Sequence, residues 1–243
     1  MSLDSPGRSH PLDVRASDRT PPSDLAQRRL AEALALLLWE QEAVRAAVAE
    51  PFRLASGNHS PIYVNCRRAV SDPIFMQLFG AAARLQLQRQ DVRFDVVAGG
   101  ETAGIPYAAF LASDLALPMI YIRKKPKGYG TGSQIEGYLP AGSRVLLVED
   151  LITDGGSKFV FLDAIEAAGC QVTDALVLFD RQQGGADRLA ERGVRLHAAV
   201  DRETALAVAE EADLLTSEAR RSIDAYFADP AGWHRERGLD FSG

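Results

Sequence analysis

The chain has 243 residues, 47% hydrophobic and 25% charged, with 33 acidic against 27 basic side chains and a formal net charge of −6. Such a chain can bury one elaborated α/β domain or two small ones, and its acidic balance excludes a global basic footprint for nucleic acid. Two cysteines, Cys66 and Cys170, and four scattered histidines, His10, His59, His197 and His234, give neither a disulfide framework nor zinc-ligand spacing. A reduced, cytoplasmic setting is therefore expected, without a metal cage built from protein alone. The apolar run Ala33 to Trp39 is too short to cross a bilayer, and no basic region followed by an apolar core marks a secretory leader.

Residues 1–23 are rich in Ser, Pro, Asp and Arg without a hydrophobic period, and read as a disordered tail. Ser23 or Asp24 can cap a helix through Leu25, Leu30, Leu34, Leu37 and Leu38. A second helical stretch is expected from Glu40 to Glu50, stopping before Pro51. Phe52–Leu54 and Ile62–Val64 are β-prone runs around a Ser56-Gly57-Asn58 turn, which predicts a hairpin. Pro73 opens a helix that carries Phe75, Leu78, Phe79, Ala82, Leu85 and Leu87 towards Gln90. Phe94 to Ala98 is a strand leading into Gly99-Gly100-Glu101-Thr102-Ala103-Gly104, and Ile105 to Leu115 is helical again. The strand Met119–Ile122 runs into Arg123, Lys124, Lys125 and Lys127, four cations in five positions, followed by alternating glycines. A charge run is ordinarily a solvated face. Here it lies at the C-terminal end of a strand, where ligands of open α/β sheets bind, and its glycines would let it close over a charged substrate.

Val145 to Val148 form a continuous apolar run that suits a strand buried on both faces. Glu149 and Asp150 close that run, Thr153 to Ser157 supply a hydroxyl, two glycines and a serine, and a helix starts near Lys158 and ends at Gly169. Backbone N–H groups at such a helix start favour a phosphate, and the acidic pair can accept hydrogen bonds from ribose hydroxyls, so the order suits a phosphorylated sugar. Taken singly, the same residues are compatible with plain turn chemistry. Neither a P-loop nor a dinucleotide glycine fingerprint is present. A strand, Val172–Phe179, precedes Asp180-Arg181-Gln182-Gln183-Gly184-Gly185, then a helical turn at 186–192, a strand at 194–200 and amphipathic helices near 202–212 and 216–227. The recurring βα units predict an α/β fold: a doubly wound, mostly parallel sheet flanked by helices, with a small N-terminal hood. The expected division is a tail at 1–23, a single domain at 24–228 and a second tail at 229–243. Within the domain, 24–72 form the N-terminal helices and hood, 73–200 the core sheet and 201–228 the C-terminal helices.

The stretch Val145–Ser157 resembles the ribose-phosphate motif of type I phosphoribosyltransferases, enzymes that use phosphoribosyl pyrophosphate (PRPP). The hairpin with Ser56-Gly57, the loop Tyr121–Gly132 followed by Gln134-Ile135-Glu136-Gly137, and Asp180-Arg181-Gln182 resemble the orotate branch of that family, in its order. The resemblance implies transfer of a phosphoribosyl group to orotate in pyrimidine synthesis, with Mg²⁺ held by substrate oxygens and water. It implies a homodimer whose catalytic loop is shared across subunits, with no nucleic-acid or membrane partner. Lys127, Lys124 and Asp150 would be catalytic. PRPP would meet Arg123, Lys124, Lys127, Tyr129, Glu149, Asp150, Leu151, Ile152, Thr153, Asp154, Gly155, Gly156 and Ser157, with the Gly99–Gly104 bend on the pyrophosphate. Orotate would meet Thr153, Tyr63 and Arg181, whose planar fork suits a carboxylate; without the resemblance, Arg181 reads as a loop salt bridge and Tyr63 as a half-buried strand residue. The chain departs from the family at Ala55 and Ala103, where lysine is frequent, at Tyr129, where histidine is frequent, and at Asp154, which sets a negative charge beside the phosphate loop. A phosphoribosyltransferase for another base and a non-catalytic PRPP sensor remain the alternatives.

Overall fold

The computed structural model describes residues 24–54, 56–126 and 133–242. Its centre is the run that closes on the acidic pair, strand β8 (Arg144–Ile152), flanked by β5 (Val96–Gly100) and β9 (Gln171–Asp180). With β6 (Met119–Ile122), β7 (Ile135–Glu136) and β10 (Arg195–Asp201) they form a six-stranded sheet in the order β10-β9-β8-β5-β6-β7. All pairings are parallel except that of the edge strand β7 with β6. Strand alternation sends Leu146 and Val148 to one side and Val145 and Leu147 to the other, and both sides are buried. On the first side lie α1 (Asp24–Glu40), α2 (Pro73–Arg89), α3 (Gly104–Leu115), α6 (Arg202–Glu211) and α7 (Ser217–Ala228), around Phe75, Phe79, Tyr107 and Leu111. The second side is covered by α4 (Gly156–Ala167) and α5 (Gly185–Ala190), through Phe161, Leu162, Ile165 and Leu189. The α/β, mostly parallel, doubly wound architecture expected from the recurring units is the one observed.

Local capping follows the sequence. Pro73 starts α2 behind Asp72, whose carboxylate accepts from the N–H groups of Ile74 and Phe75. Asp201 caps α6 and Thr216 caps α7 in the same way.

Three N- and C-terminal expectations are corrected. The segment 40–50 is not helical: after α1 the chain turns and Val44–Ala46 forms β1, pairing antiparallel with β4 (Ile62–Val64). Val44 is buried in this arrangement and the Trp39 indole N–H donates to the Ala205 carbonyl at 2.8 Å, which fixes the end of α1. Ile62–Val64 is therefore not the partner of Phe52–Arg53. That strand, β2, pairs with β3 (His59–Ser60) around the Gly57 turn, where φ is +92°. The hood is two short hairpin pairings instead of one.

The segment after Asp229 is not a tail throughout. Asp229 accepts from the Gly232 N–H, Pro230 opens α8 (Pro230–Glu236), and Trp233 is 2% exposed, its indole N–H donating to Ser222 at 3.1 Å. His234 is fully buried: its Nδ1 meets the Pro230 carbonyl at 2.6 Å and its Nε2 accepts from the His59 N–H at 2.9 Å. Asn58 and Ser242 exchange two hydrogen bonds of 2.8 Å. The C-terminal segment thus straps the hood hairpin to α7. Replacing Trp233→Ala should lower the unfolding free energy by about 3 kcal/mol or more, read by urea denaturation. A loss below about 1 kcal/mol would contradict this packing.

Candidate active site

Four strand ends meet at the C-terminal edge of the sheet, and each brings a different kind of group. At the end of β5 the chain turns through Gly99, Gly100 and Gly104 directly against β8. A Cβ on Gly100 or Gly104 would overlap the Glu149 carboxylate, and on Gly104 also the Val148 carbonyl oxygen, so only glycine permits this approach. Glu101, in the same turn, accepts the Lys124 backbone N–H at 2.8 Å and so ties the turn to the end of β6. Lys124 and Lys125 are exposed there. The Arg123 backbone is held by Gln134, and its guanidinium lies 3.8 Å from Glu136. Lys127 and Tyr129 lie outside the described residues.

Glu149 and Asp150, adjacent on β8, turn to opposite sides of the sheet and are 6% and 9% exposed. Glu149 faces α4, where its Oε2 takes a 2.5 Å ion pair from the Lys158 ammonium. Its Oε1 is buried with no hydrogen-bond partner among the described residues. Burial pushes the Glu149 carboxyl above the usual range, and Lys158 opposes that shift. Asp150 faces the 3-10 turn Cys66–Ser71 and α3. Its charge, second to burial, raises the Cys66 thiol, and burial also raises the Tyr107 phenol, whose O–H donates to the Cys66 carbonyl at 2.6 Å. Of the acidic pair, Glu149 is engaged by a lysine beneath the sheet edge.

Leu151 and Ile152 turn their side chains into the two cores and leave only backbone at the edge. The Ile152 carbonyl accepts the Arg181 N–H and the Thr153 carbonyl accepts the Gly185 N–H, so the loop 153–155 is bonded to the end of β9 and the start of α5. Gly155 caps α4 with φ +82°, and no side chain caps that helix. Its first turn starts at the sheet edge, and the N–H groups of such a helix start favour an anion. Asp154, exposed beside them, accepts the Gly156 N–H at 3.2 Å and pairs with Arg188 of α5 at 3.0 Å. The added negative charge noted in the sequence therefore has a local cation.

Arg181 follows β9. Its Nε and Nη2 are buried without a hydrogen-bond partner among the described residues, and burial lowers its pKa. The charges of Asp150 and Arg181 act in opposite directions on the Cys66 thiol, which burial raises most. Tyr63 belongs to the hood strand β4, its ring 5.6 Å from Phe52 and beneath the Arg45 guanidinium at 5.5 Å. Lys158, Glu101 and Arg188 are site residues that the sequence did not single out. The signal for Lys158 was a cation in the first turn of a helix, where the dipole disfavours it.

The phosphoribosyl transferase domain model matches residues 72–195. The chain is 46% identical over 211 residues to an orotate phosphoribosyltransferase of Rhizobium johnstonii, covering 86% of this chain and 92% of that one. Among solved structures it is similar to the orotate phosphoribosyltransferase of Aeropyrum pernix, at 34% identity and a TM-score of 0.65, covering 75% of this chain and 99% of the other. It is also similar to the UMP synthase of Leishmania donovani, at 29% identity and a TM-score of 0.70, covering 82% of this chain and 42% of that one.

Seating of the glycine turn on β8 is directly testable. Gly104→Ala places a methyl against a backbone carbonyl that cannot move aside, and should cost about 1–3 kcal/mol in urea denaturation. An unchanged midpoint would contradict the close approach.

Proposed function

The chain belongs to the phosphoribosyltransferase family, and from that premise we propose that it transfers the 5-phosphoribosyl group of PRPP to orotate, yielding orotidine 5′-monophosphate and pyrophosphate in pyrimidine synthesis. The observation that carries the choice of base is Arg181: a buried guanidinium with two unpartnered nitrogens at the sheet edge demands a planar anion. The orotate carboxylate meets that demand, and uracil does not.

In the reaction a ring nitrogen of orotate, its proton passing to solvent, bonds to the anomeric carbon as the bond from that carbon to the pyrophosphate oxygen breaks and pyrophosphate leaves. Positive charge grows on the sugar and negative charge on the leaving group. Asp150 and Glu149 are the groups for the ribose hydroxyls, and their charge favours the cationic ring. Thr153 and the first-turn N–H groups of Gly155, Gly156 and Ser157 hold the 5′-phosphate, with Asp154 kept from repelling it by Arg188. Arg123, Lys124 and Lys127 neutralise the departing pyrophosphate, and Tyr129 belongs to the same loop. Thr153 and Tyr63 flank the base.

Among the described residues no three His, Cys, Asp or Glu side chains gather as a metal cage. A hard cation that keeps substrate oxygens and water as its ligands needs no such cage. Mg²⁺ bound in that way supplies positive charge to the pyrophosphate.

The working unit is taken to be a homodimer in the cytoplasm. The exposed Lys124 and Lys125 at the start of the loop support its reach to a partner subunit, and the two free, buried cysteines support a reduced compartment. Among the described residues no helix is long and apolar enough to cross a membrane.

A steady-state assay with PRPP and Mg²⁺ should show consumption of orotate matched by pyrophosphate release, without reaction of uracil or purine bases. Arg181→Ala should raise the orotate KM by about 10- to 100-fold and leave the PRPP KM near its original value. Turnover of another base in place of orotate would overturn the role of Arg181. PRPP binding without turnover of any base would make the chain a sensor.

A further inference from the structure

The choice of base rests on Arg181, and the direction of its half-buried fork is set mainly through its own backbone. Its Nε and Nη2 have no hydrogen-bond partner among the described residues, so they tie the guanidinium to nothing nearby. What holds the Arg181 backbone therefore decides where the fork stands. Its N–H donates to the Ile152 carbonyl at the end of β8, at 3.0 Å. Its carbonyl accepts from Arg202 Nη1 at 3.4 Å. One half of the clamp thus comes from the sheet edge and the other from a side chain of α6.

Arg202 occupies a place that helix electrostatics would not choose for a cation. It is the first residue of α6, directly behind the Asp201 cap and at the positive end of the macrodipole. Its side chain is 16% exposed, and its guanidinium lies over the Phe227 ring of α7, 4.0 Å from the ring centre. Glu203 pairs with its Nη2 at 3.0 Å. Cross-linking of α6 to α7 does not explain this cation, because Glu203 already reaches Arg220 of α7 at 3.0 Å without it. What Arg202 adds is the contact of Nη1 with the Arg181 carbonyl. The neighbouring residue supports the same loop: the Glu203 N–H donates to the Gln182 side-chain oxygen at 3.3 Å. Gln182 stands at φ +54°, a left-handed conformation uncommon outside glycine, with its own N–H taken by Asp180 at 2.7 Å. The first two residues of α6 are thus engaged by the loop that carries Arg181.

We propose that Arg202 is a positioning residue for the base: seated on the Phe227 ring, it holds the Arg181 carbonyl and so fixes the direction in which the Arg181 fork meets the orotate carboxylate. This rests on the role given to Arg181 above and adds the residue through which that role is maintained. The contact reaches only the loop after β9, so its loss falls on orotate and leaves PRPP untouched.

The test is steady-state kinetics of the full-length enzyme with orotate and PRPP varied separately, for wild type, Arg202→Met, Arg202→Lys, Phe227→Leu, Arg181→Ala and the Arg181→Ala/Arg202→Met double variant. Arg202→Met keeps an unbranched chain against Phe227 and loses the donor. It should raise the orotate KM by about 10-fold and leave the PRPP KM within about twofold of wild type. Arg202→Lys, which keeps a charged donor, should recover part of that loss. Phe227→Leu removes the ring beneath the cation and keeps an apolar side chain, so it stays testable should Arg202→Met fail to fold. It should raise the orotate KM by about threefold with the PRPP KM unmoved. Acting only through Arg181, Arg202→Met should add no more than about twofold to the effect of Arg181→Ala.

An orotate KM in Arg202→Met within about twofold of wild type would overturn the proposal, as would an unchanged orotate KM in Phe227→Leu where Arg202→Met does not fold. A PRPP KM that rises equally with that of orotate would also overturn it, since a loosened fold acts on both substrates. So would a double variant about tenfold or more worse than Arg181→Ala, which would give Arg202 a role of its own. An unchanged orotate KM in Arg181→Ala would instead overturn the role of Arg181 itself. A raised orotate KM in Arg181→Ala beside an unchanged one in Arg202→Met would remove the Arg202 proposal alone.

Discussion

A charge that closes a doubly buried strand constrains everything built around it. Glu149 ends the apolar run of β8 between two hydrophobic cores, and its carboxylate is tied to Lys158 at 2.5 Å. That pair joins the central strand to the first turn of α4, and on its other side the carboxylate sets the distance of closest approach for the turn between β5 and α3. Three elements thus take their position from one side chain. Removing one member of such a pair leaves a buried uncompensated charge, which is far costlier than replacing both.

The two ends of the sheet use charge differently. At the N-terminal ends of the strands, Arg144 makes a two-pronged pair with Asp95, and Asp174 is shared by His197, Arg195 and Thr173. These groups are consumed by one another and secure strand starts. At the C-terminal edge buried polar atoms are left unsatisfied: Glu149 Oε1 and two nitrogens of Arg181 lack partners among the described residues. Helix starts, an acidic pair and a buried guanidinium converge there on four consecutive strand ends, as expected where ligands bind in open α/β sheets.

The sheet was legible in the sequence because its strands are long apolar runs closed by glycines or charges; Val145–Val148 and Val172–Phe179 admit little else. The hood was not. Strands of two or three residues carry no periodic signal, and Glu40–Glu50, with Val44 and Val48 at helical spacing, imitates a helix until pairing of Val44 with Val64 decides otherwise. Helix α8 was readable in Asp229-Pro230, a cap followed by the residue that suits a first turn, yet its stability comes from Trp233 meeting Ser222, a contact no local pattern reveals. The site divides in the same way. The acidic pair stood out by its place in the stretch Val145–Ser157, and Arg181 only through the family resemblance of the motif that holds it. Lys158 did not, because its meaning depends on where Glu149 is, nine positions away and on another element. Nor did Arg188, whose pairing with Asp154 accounts for a charge that looked misplaced in the sequence.

The most direct measurement is isothermal titration of PRPP with Mg²⁺ into the wild-type chain and into Asp150→Asn, with no base present. The account places the sugar at the end of β8, so wild type should bind PRPP and Asp150→Asn should bind at least about tenfold more weakly while unfolding at the same urea midpoint. Equal affinities for the two proteins would contradict it, and would move the ribose away from the strand end on which the rest of the site is built.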